Sequence, residues 1–342
     1  MKKHLLSLLL VLGLFIACAP GSRAYVDVPA KHWAAADIQA AKDAGILTGI
    51  GTDSFGLGRT MNRAGFVTAL VRLFGWETVA PTGREFTDVG ESNWFSAAVE
   101  TAVKNGALPT YTGTFRPYDP ITREEMVTML VRGLGYNALA AAQAEHCPFS
   151  DVATNRGYIA LAADLSLVDG YPGNVFKPHQ AATREQAAAV LMRLYRRLSS
   201  SSAQIADTTG HTVITIPTPK ATTATAVPST PLEPIASLYT ALQERKNDGA
   251  DMSRVVLVFS NGGWETVTRG ENIVSSSEVS AEKVEEYLSR GDVTTYYAEQ
   301  YESGYLTFRK GIETVTVWYQ SEESLHAKLQ LARLFGVTLY IC

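Results

Sequence analysis

Three arginines recur at nearly equal intervals in the N-terminal part of this 342-residue chain. They are Arg63, Arg123 and Arg184, which are 60 and 61 residues apart. Each follows a phenylalanine by eight residues, namely Phe55, Phe115 or Phe176. An arginine at the first position of a helix lies where backbone N–H groups lack partners and the helix dipole is positive. Its planar guanidinium suits a carboxylate. The three arginines therefore predict binding of an anionic group.

Each arginine follows an aspartate and an aromatic residue. The aspartates are Asp88 and Asp151 in Phe-Thr/Ser-Asp-Val segments and Asp27 in a looser Tyr-Val-Asp-Val segment. Six or seven residues after each aspartate comes an aromatic residue: Trp33, Trp94 or Tyr158. Such a ring can stack on a sugar. The alternative is structural: the aspartates cap helices or pair with the arginines, and the tryptophans belong to the core.

The regular spacing predicts one helix–loop–helix unit used three times. The first helices run over 34–44 and 94–103 and end at Gly45 and Gly106. The second helices begin at the arginines, where Thr122 with Glu125 and Thr183 with Gln186 form capping boxes. A motif repeated in this way favours a binding protein over a single catalytic centre.

These motifs together resemble the S-layer homology domain of bacterial cell-surface proteins, over roughly residues 25–198. The resemblance implies an all-α, three-pronged, pseudo-threefold unit with ligand grooves between the prongs. It also implies non-covalent attachment to a secondary cell-wall polymer linked to peptidoglycan, often a pyruvylated polysaccharide whose ketal supplies a carboxylate. The predicted repeats span 25–80, 84–138 and 147–198. The predicted polysaccharide-binding residues are Arg63, Arg123, Arg184, Asp27, Asp88, Asp151, Trp33 and Trp94.

The three copies differ. The first reads Asn62-Arg63-Ala64-Gly65, without the acidic residue, and the third lacks the tryptophan. The second copy is the most complete, so unequal occupancy of the three grooves is expected.

Residues 1–24 have the pattern of an export signal, with Lys2-Lys3-His4 before a 13-residue apolar run from Leu5 to Ala17. Two cleavage sites compete. Phe15-Ile16-Ala17-Cys18 resembles a lipobox, with Cys18 lipidated and the protein anchored to the membrane, and Ser22-Arg23-Ala24 suits ordinary signal peptidase. Both predict a secreted protein at the cell surface or cell wall.

The overall composition excludes several classes of protein. A net charge of −4 gives no footprint for nucleic acid. Cys147 and Cys342 are far apart, so no disulfide framework is predicted. The scattered histidines predict no metal site, and no cofactor is expected.

The rest of the chain divides into a Ser/Thr/Pro-rich stretch, 199–234, and a mixed region, 235–342. The former predicts a mobile linker. The latter alternates apolar strands, such as 255–259 and 314–318, with helices, which predicts a small α/β domain. We therefore expect a multidomain protein.

The segment Val-Trp-Tyr-Gln-Ser-Glu-Glu-Ser-Leu at 317–325 resembles the closing part of glycoside hydrolase family 18, so the last region is similar to a partial TIM barrel. The Asp-x-x-Asp-x-Asp-x-Glu motif of that family is missing, and Gln320-Ser321 replace Glu-Asp. Glu265, Glu299 and Glu313 are isolated, whereas glycoside hydrolysis needs paired carboxyl groups.

The leading prediction is therefore a non-catalytic C-terminal region. Two alternatives stay open. One is a cell-wall N-acetylglucosamine hydrolase, and the other is a glycan-binding remnant in which Trp264 or Trp318 stacks on the sugar.

Overall fold

The computed structural model describes residues 25–109, 113–215 and 233–342. Up to residue 198 its regular elements are helices. They are α1 (Ala35–Asp43), α2 (Arg63–Phe74), α3 (Ser96–Lys104), α4 (Arg123–Gly133), α5 (Asn137–Ala142), α6 (Arg156–Asp164) and α7 (Arg184–Leu198). A short 3₁₀ turn, Ala144–His146, follows α5. Each repeat has the predicted pair of helices, and the third has its pair in α6 and α7.

The capping signals in the sequence act as predicted. Thr122 and Thr183 each accept a hydrogen bond from the backbone three residues on, and Glu125 and Gln186 bond back to the cap. Asn62 caps α2 by accepting from the N–H of Gly65, without a reciprocal bond. These caps place each arginine at the first residue of its helix.

The three repeats close around a central ring of hydrogen bonds. The N–H of Met61 donates to the carbonyl of Ala182 (2.9 Å), that of Ala182 to Ile121 (2.9 Å), and that of Ile121 to Met61 (2.8 Å). Around this ring each second helix packs against the first helix of another repeat: α2 against α3, α4 against α6, and α7 against α1. The repeats therefore form one cyclic unit.

The C-terminal region contains two sheets. The parallel sheet has the order β1-β9-β3-β2, from Ala203–Gln204 (β1), Thr212–Thr215 (β2), Val255–Val258 (β3) and Leu339–Ile341 (β9). The antiparallel sheet has the order β5-β4-β8-β7-β6, from Gly263–Arg269 (β4), Asn272–Val279 (β5), Thr294–Ala298 (β6), Ser303–Lys310 (β7) and Glu313–Tyr319 (β8). Three helices accompany the sheets: α8 (Ile235–Asn247), α9 (Ala281–Leu288) and α10 (Glu322–Leu334). A 3₁₀ turn, Met252–Arg254, precedes β3.

The predicted linker differs from the structure in its first half. Residues 203–204 and 212–215 are strands β1 and β2, which pair with β9 and β3. Ile214 is buried by this pairing. These strands lie at the two edges of the sheet, where most side chains face solvent and can be polar. Their Ser/Thr-rich composition therefore did not indicate strands.

The C-terminal region packs directly on the third repeat. Tyr239 of α8 donates a hydrogen bond from its hydroxyl to the carboxylate of Asp164 at the end of α6. Gln243 bonds the same carboxylate, and Lys246 donates to the Asp164 carbonyl and to Ser166. The hydrophobic core runs from the repeats into α8, α10 and the parallel sheet. The repeats therefore share a core with this part of the C-terminal region, while the antiparallel sheet and α9 have a separate hydrophobic cluster.

Within the three described ranges, no helix combines the length and apolar character needed to cross a bilayer. The predicted export signal, including Cys18 and both cleavage sites, lies outside the described residues, as does most of the second half of the predicted linker.

Candidate binding sites between the repeats

Each repeated arginine reaches into another repeat. The Nε of Arg63 donates to the carbonyl of Phe115 (2.7 Å), that of Arg123 to Phe176 (3.0 Å), and that of Arg184 to Phe55 (2.7 Å). This cyclic pattern defines three sites. We call them site 1 (Arg184 beside α2), site 2 (Arg63 beside α4) and site 3 (Arg123 beside α7).

The backbone N–H groups at the starts of these helices are already bonded. The N–H of Arg63 donates to Asp119, that of Arg123 to Gln180 and that of Arg184 to Arg59, all to carbonyl oxygens within 3.0 Å. The expectation of free N–H groups at these positions is therefore wrong. Neighbouring repeats supply the acceptors, and the positive charge available to a ligand is that of the guanidinium groups.

The three aspartates hold the loops that carry the phenylalanines. Asp27 accepts hydrogen bonds from the N–H groups of Phe55, Gly56 and Leu57 at 2.7–3.1 Å. Asp88 and Asp151 accept equivalent bonds from the loops of the second and third repeats. Burial opposes ionisation of Asp27, but the backbone donors outweigh it and lower its pKa to about 2. The carboxylates thus bond their own repeat's loop, neither capping a helix nor forming an ion pair with the arginines.

The two tryptophans lie on the surface. Trp33 is 61% exposed and Trp94 is 63% exposed, so the alternative that places them in the core is wrong. Tyr158, at the corresponding place in the third repeat, is half-buried and donates its hydroxyl to Asn137. Exposed indole faces are available to a ligand.

Site 1 is a groove of about 260 Å³ to which all three repeats contribute. Repeat 1 supplies the loop 46–50 and one face of α2, repeat 2 supplies Trp94, and repeat 3 supplies Arg184. The Arg184 guanidinium is half-buried, and its Nη2 donates to the carbonyl of Thr48 (2.6 Å). Arg72 lies at the far end of the α2 face and is exposed.

Site 2 has a carboxylate of its own. Glu125 lies 2.6 Å from Nη1 of Arg63 and 2.8 Å from Nη2 of Arg116. Arg63 is 8% exposed. Burial lowers its pKa, and the charge of Glu125 opposes that change.

Site 3 is covered by an aromatic ring. Tyr171 lies over the guanidinium of Arg123, 5.1 Å from its Cζ to the ring centre, and Arg123 is 7% exposed. Lys177 lies over the same ring at 4.3 Å. Arg193, the second of the two arginines on α7 spaced nine residues apart, forms an ion pair with Asp169 at 2.8 Å.

Two arginines of these sites, Arg72 and Arg193, were not identified from the sequence. Each follows a repeated arginine by nine residues, a spacing that is visible in the sequence. The role of Gly56 and Gly65 in site 1 does not follow from the sequence. It becomes clear only by comparison with site 2, where larger side chains occupy the equivalent positions.

In the C-terminal region, Glu285 and Glu322 line a cleft beside α9, whereas Glu265, Glu299 and Glu313 do not line it. Glu265 accepts a hydrogen bond from Tyr287 (2.5 Å), Glu313 pairs with Arg269 (2.7 Å), and Glu299 is exposed. The cleft, of about 300 Å³, lies between α9 and the end of β8, next to Gln320 and Ser321. In the described parts of the chain, no cluster of His, Cys, Asp or Glu could hold a metal ion.

The aromatic residues of the antiparallel sheet form a cross-strand row. Tyr296, Tyr305, Trp318 and Trp264 occupy directly paired positions on β6, β7, β8 and β4. Tyr296 and Tyr305 stack on each other at 4.9 Å, and Trp318 is 6% exposed. Trp318 is therefore unsuited to stack on a sugar, whereas Trp264 is half-buried.

The sequence profile of the S-layer homology domain matches residues 24–64, 85–127 and 148–188. The chain carries three S-layer homology domains. Each match ends within the first turns of α2, α4 or α7, so it includes one repeated arginine. The cyclic arrangement of the three sites is thus an arrangement of S-layer homology domains.

Curated relatives share parts of the chain. It is 32% identical over 175 residues to exoglucanase XynX of Acetivibrio thermocellus, which covers 48% of this chain and 16% of that protein. It is 33% identical over 173 residues to the amylopullulanase of Thermoanaerobacterium thermosulfurigenes, covering 48% and 9%. It is 34% identical over 144 residues to the middle cell wall protein of Brevibacillus brevis, covering 41% and 12%. The chain therefore spans less than a fifth of each of these relatives.

Solved structures give a weak similarity. The spore cortex-lytic enzymes SleL of Bacillus megaterium and Bacillus cereus match 34% of this chain and 27% of their own, at 17% and 14% identity. Their TM-scores are 0.29 and 0.27, too low to carry a conclusion.

Proposed function

We propose that this protein is exported and attaches non-covalently to an anionic secondary polymer of the bacterial cell wall through its three S-layer homology domains. The observation that carries the proposal is the groove of site 1, where a guanidinium and an exposed indole from two different repeats line one cavity. Relatives named as a cell wall protein and a surface layer protein support a place at the cell surface.

The chemistry of the groove fits an acidic sugar. A guanidinium recognises a carboxylate through charge and paired N–H donors, and an indole offers a flat apolar face to a sugar ring. A pyruvate ketal on a polysaccharide carries both features. Arg184 and Trp94 are therefore the proposed ligand contacts. Asp27, Asp88 and Asp151 shape the loops, and Arg63 and Arg123 link the repeats. Trp33 is exposed but does not line site 1. It precedes α1, which packs on α7, the helix of site 3.

Sedimentation with cell-wall sacculi tests this function. The full chain is mixed with sacculi that carry their secondary polymer and with sacculi from which the polymer has been removed. We expect binding to the former only. Equal binding to stripped peptidoglycan would contradict the proposal.

For the C-terminal region we propose a non-catalytic role, displayed at the surface by the anchored repeats. Glu265 and Glu313 are each held by a neighbouring side chain, and the Asp-x-x-Asp-x-Asp-x-Glu motif is missing from the sequence; both observations support the proposal over hydrolysis of wall glycan. Incubation of the full chain with N-acetylglucosamine oligomers, followed by product analysis, is the test. Turnover that disappears when Glu265, Glu299 or Glu313 is changed to Gln would establish the hydrolase instead. An anchor through lipidated Cys18 stays a separate proposal, to be tested by mass spectrometry of the mature N-terminus.

A further inference from the structure

The three sites of the repeat unit are equivalent in backbone but differ in the side chains around their arginines. Sites 1 and 2 differ most clearly at two positions. The third residue of the helix is Gly65 in site 1 and Glu125 in site 2, and the residue after the loop phenylalanine is Gly56 in site 1 and Arg116 in site 2.

In site 2 these two side chains fill the space in front of Arg63. The carboxylate of Glu125 lies between two guanidinium groups, 2.6 Å from Arg63 and 2.8 Å from Arg116. The other carboxylate oxygen of Glu125 accepts the N–H of Thr122 at 2.9 Å, which fixes the side chain in this position. The charge of Arg63 is therefore matched by a group of the protein itself.

In site 1 both side chains are missing and the space is a groove. Gly65 lines it, and a Cβ at Gly56 would come within 3.4 Å of the Arg184 side chain. Within the described residues, no carboxylate forms an ion pair with Arg184. Two acidic side chains whose charges act on Arg184, Asp27 and Glu185, are bonded to loop N–H groups.

Site 3 is shielded in a third way. Gln186 stands in the place of Glu125 and bonds the helix cap, and the ring of Tyr171 covers Arg123. The residue of site 1 that corresponds to Tyr171 is Ile50, a smaller side chain that lines the groove.

We infer that site 1 is the single carboxylate-binding site of this repeat unit, and that Glu125 in site 2 is an internal substitute for the carboxylate of the ligand. This inference rests on the proposed function and specifies its site and ligand class. A carboxylate of an acidic sugar takes, beside Arg184, the place that Glu125 takes beside Arg63. The sugar ring then lies along the α2 face, between Trp94 and Arg72. Repeat 1, whose sequence lacks the acidic residue found in repeat 2, thus provides the loop and the α2 face of the binding groove.

Exchange of the two environments tests the inference. Asn62→Thr/Gly65→Glu places a capping box and a carboxylate in site 1. Replacing Asn62 together with Gly65 is needed because a Cβ at Gly65 would lie 2.8 Å from the Asn62 side-chain oxygen. Glu125→Ala removes the internal carboxylate of site 2, and Glu125→Gln removes its charge while keeping its bulk. Ala80→Glu, at an exposed position between the first two repeats, is the control for added charge.

The full chain and each variant, first shown to unfold cooperatively, are titrated by calorimetry with a methyl hexoside that bears a pyruvate ketal. The methyl ester of the same probe serves as the uncharged control. We expect one site per wild-type chain, weaker binding of the ester, and a loss of roughly 30-fold or more in affinity for Asn62→Thr/Gly65→Glu. Ala80→Glu and Glu125→Gln should keep one site, and Glu125→Ala should show two.

Other results separate the inference from the function on which it rests. Two or three sites in the wild type, an unchanged affinity of Asn62→Thr/Gly65→Glu, or one site in Glu125→Ala would overturn the inference and leave the anchoring function intact. The same holds for a wild type that sediments with polymer-bearing sacculi but does not bind the probe. A wild type that does neither would overturn the proposed function itself.

Discussion

Arg184 and Phe55 are 129 positions apart in the sequence and share a hydrogen bond of 2.7 Å between the arginine Nε and the phenylalanine carbonyl. This bond joins the third repeat back to the first. Together with the equivalent bonds of Arg63 and Arg123 it makes the unit cyclic. The same arginine that lines the candidate groove therefore also holds the repeats together.

Arg184→Ala should lower the free energy of unfolding by about 1–3 kcal/mol in the absence of ligand, because it leaves the Phe55 and Thr48 carbonyls without a donor. Urea denaturation followed by circular dichroism measures the change. Arg196→Ala is the control, since its exposed ion pair with Asp37 should contribute about 0–1 kcal/mol. Equal effects of the two changes would show that the bonds of Arg184 do not stabilise the ring.

Asp27→Asn should destabilise the protein at neutral pH, and the difference from wild type should shrink in acid. The folded pKa of Asp27, about 2, is below its value in an unfolded chain, about 3.9. A depressed carboxyl pKa contributes stability that is fully present above pH 4 or so and is lost as the pH falls toward 2. Melting temperatures measured between pH 7 and pH 2 test this. The exposed Glu91 changed to Gln is the control for loss of a surface carboxylate, and a constant difference for Asp27→Asn would contradict the prediction.

Trp94→Ala should weaken binding to polymer-bearing sacculi by roughly tenfold. Covering about 60 Å² of its exposed ring would contribute about 1.5 kcal/mol, which corresponds to that factor. Trp33→Ala is a matched control, because Trp33 is equally exposed but does not line the groove of site 1. Co-sedimentation isotherms give both affinities. A larger loss for Trp33→Ala would place the ligand in another site.

Tyr239→Phe should loosen the junction between the third repeat and the C-terminal region by about 1–2 kcal/mol, because it removes the hydroxyl that bonds Asp164. Differential scanning calorimetry of the full chain should show one transition for the repeats and the parallel sheet of the wild type, which share a continuous core, and a broader or divided transition in the variant. The exposed Tyr296 changed to Phe should leave the transition unchanged. Separate unfolding of the repeats and the parallel sheet in the wild type would contradict a shared core.

Local signals of the sequence predicted the local structure well. The capping boxes at Thr122 and Thr183 mark the starts of α4 and α7, and Gly45 and Gly106 follow the ends of α1 and α3 with positive φ angles of 67° and 74°. Such signals work because capping and left-handed glycines depend on neighbours within a few residues. The edge strands β1 and β2 were missed since they depend on pairing with β9 and β3, far along the chain.

The amino-acid sequence alone predicts the three-fold repeat, the helix starts and the residue types that can bind an anionic group. Which of these residues a ligand can reach depends on how the three repeats pack together. The ring closure pairs each arginine with a loop from another repeat, so the surroundings of Arg184 come from repeat 1 and those of Arg63 from repeat 2. A glycine in one repeat can therefore open a site for an arginine in another. No spacing along the chain shows this, because the contact exists only after the three repeats have closed.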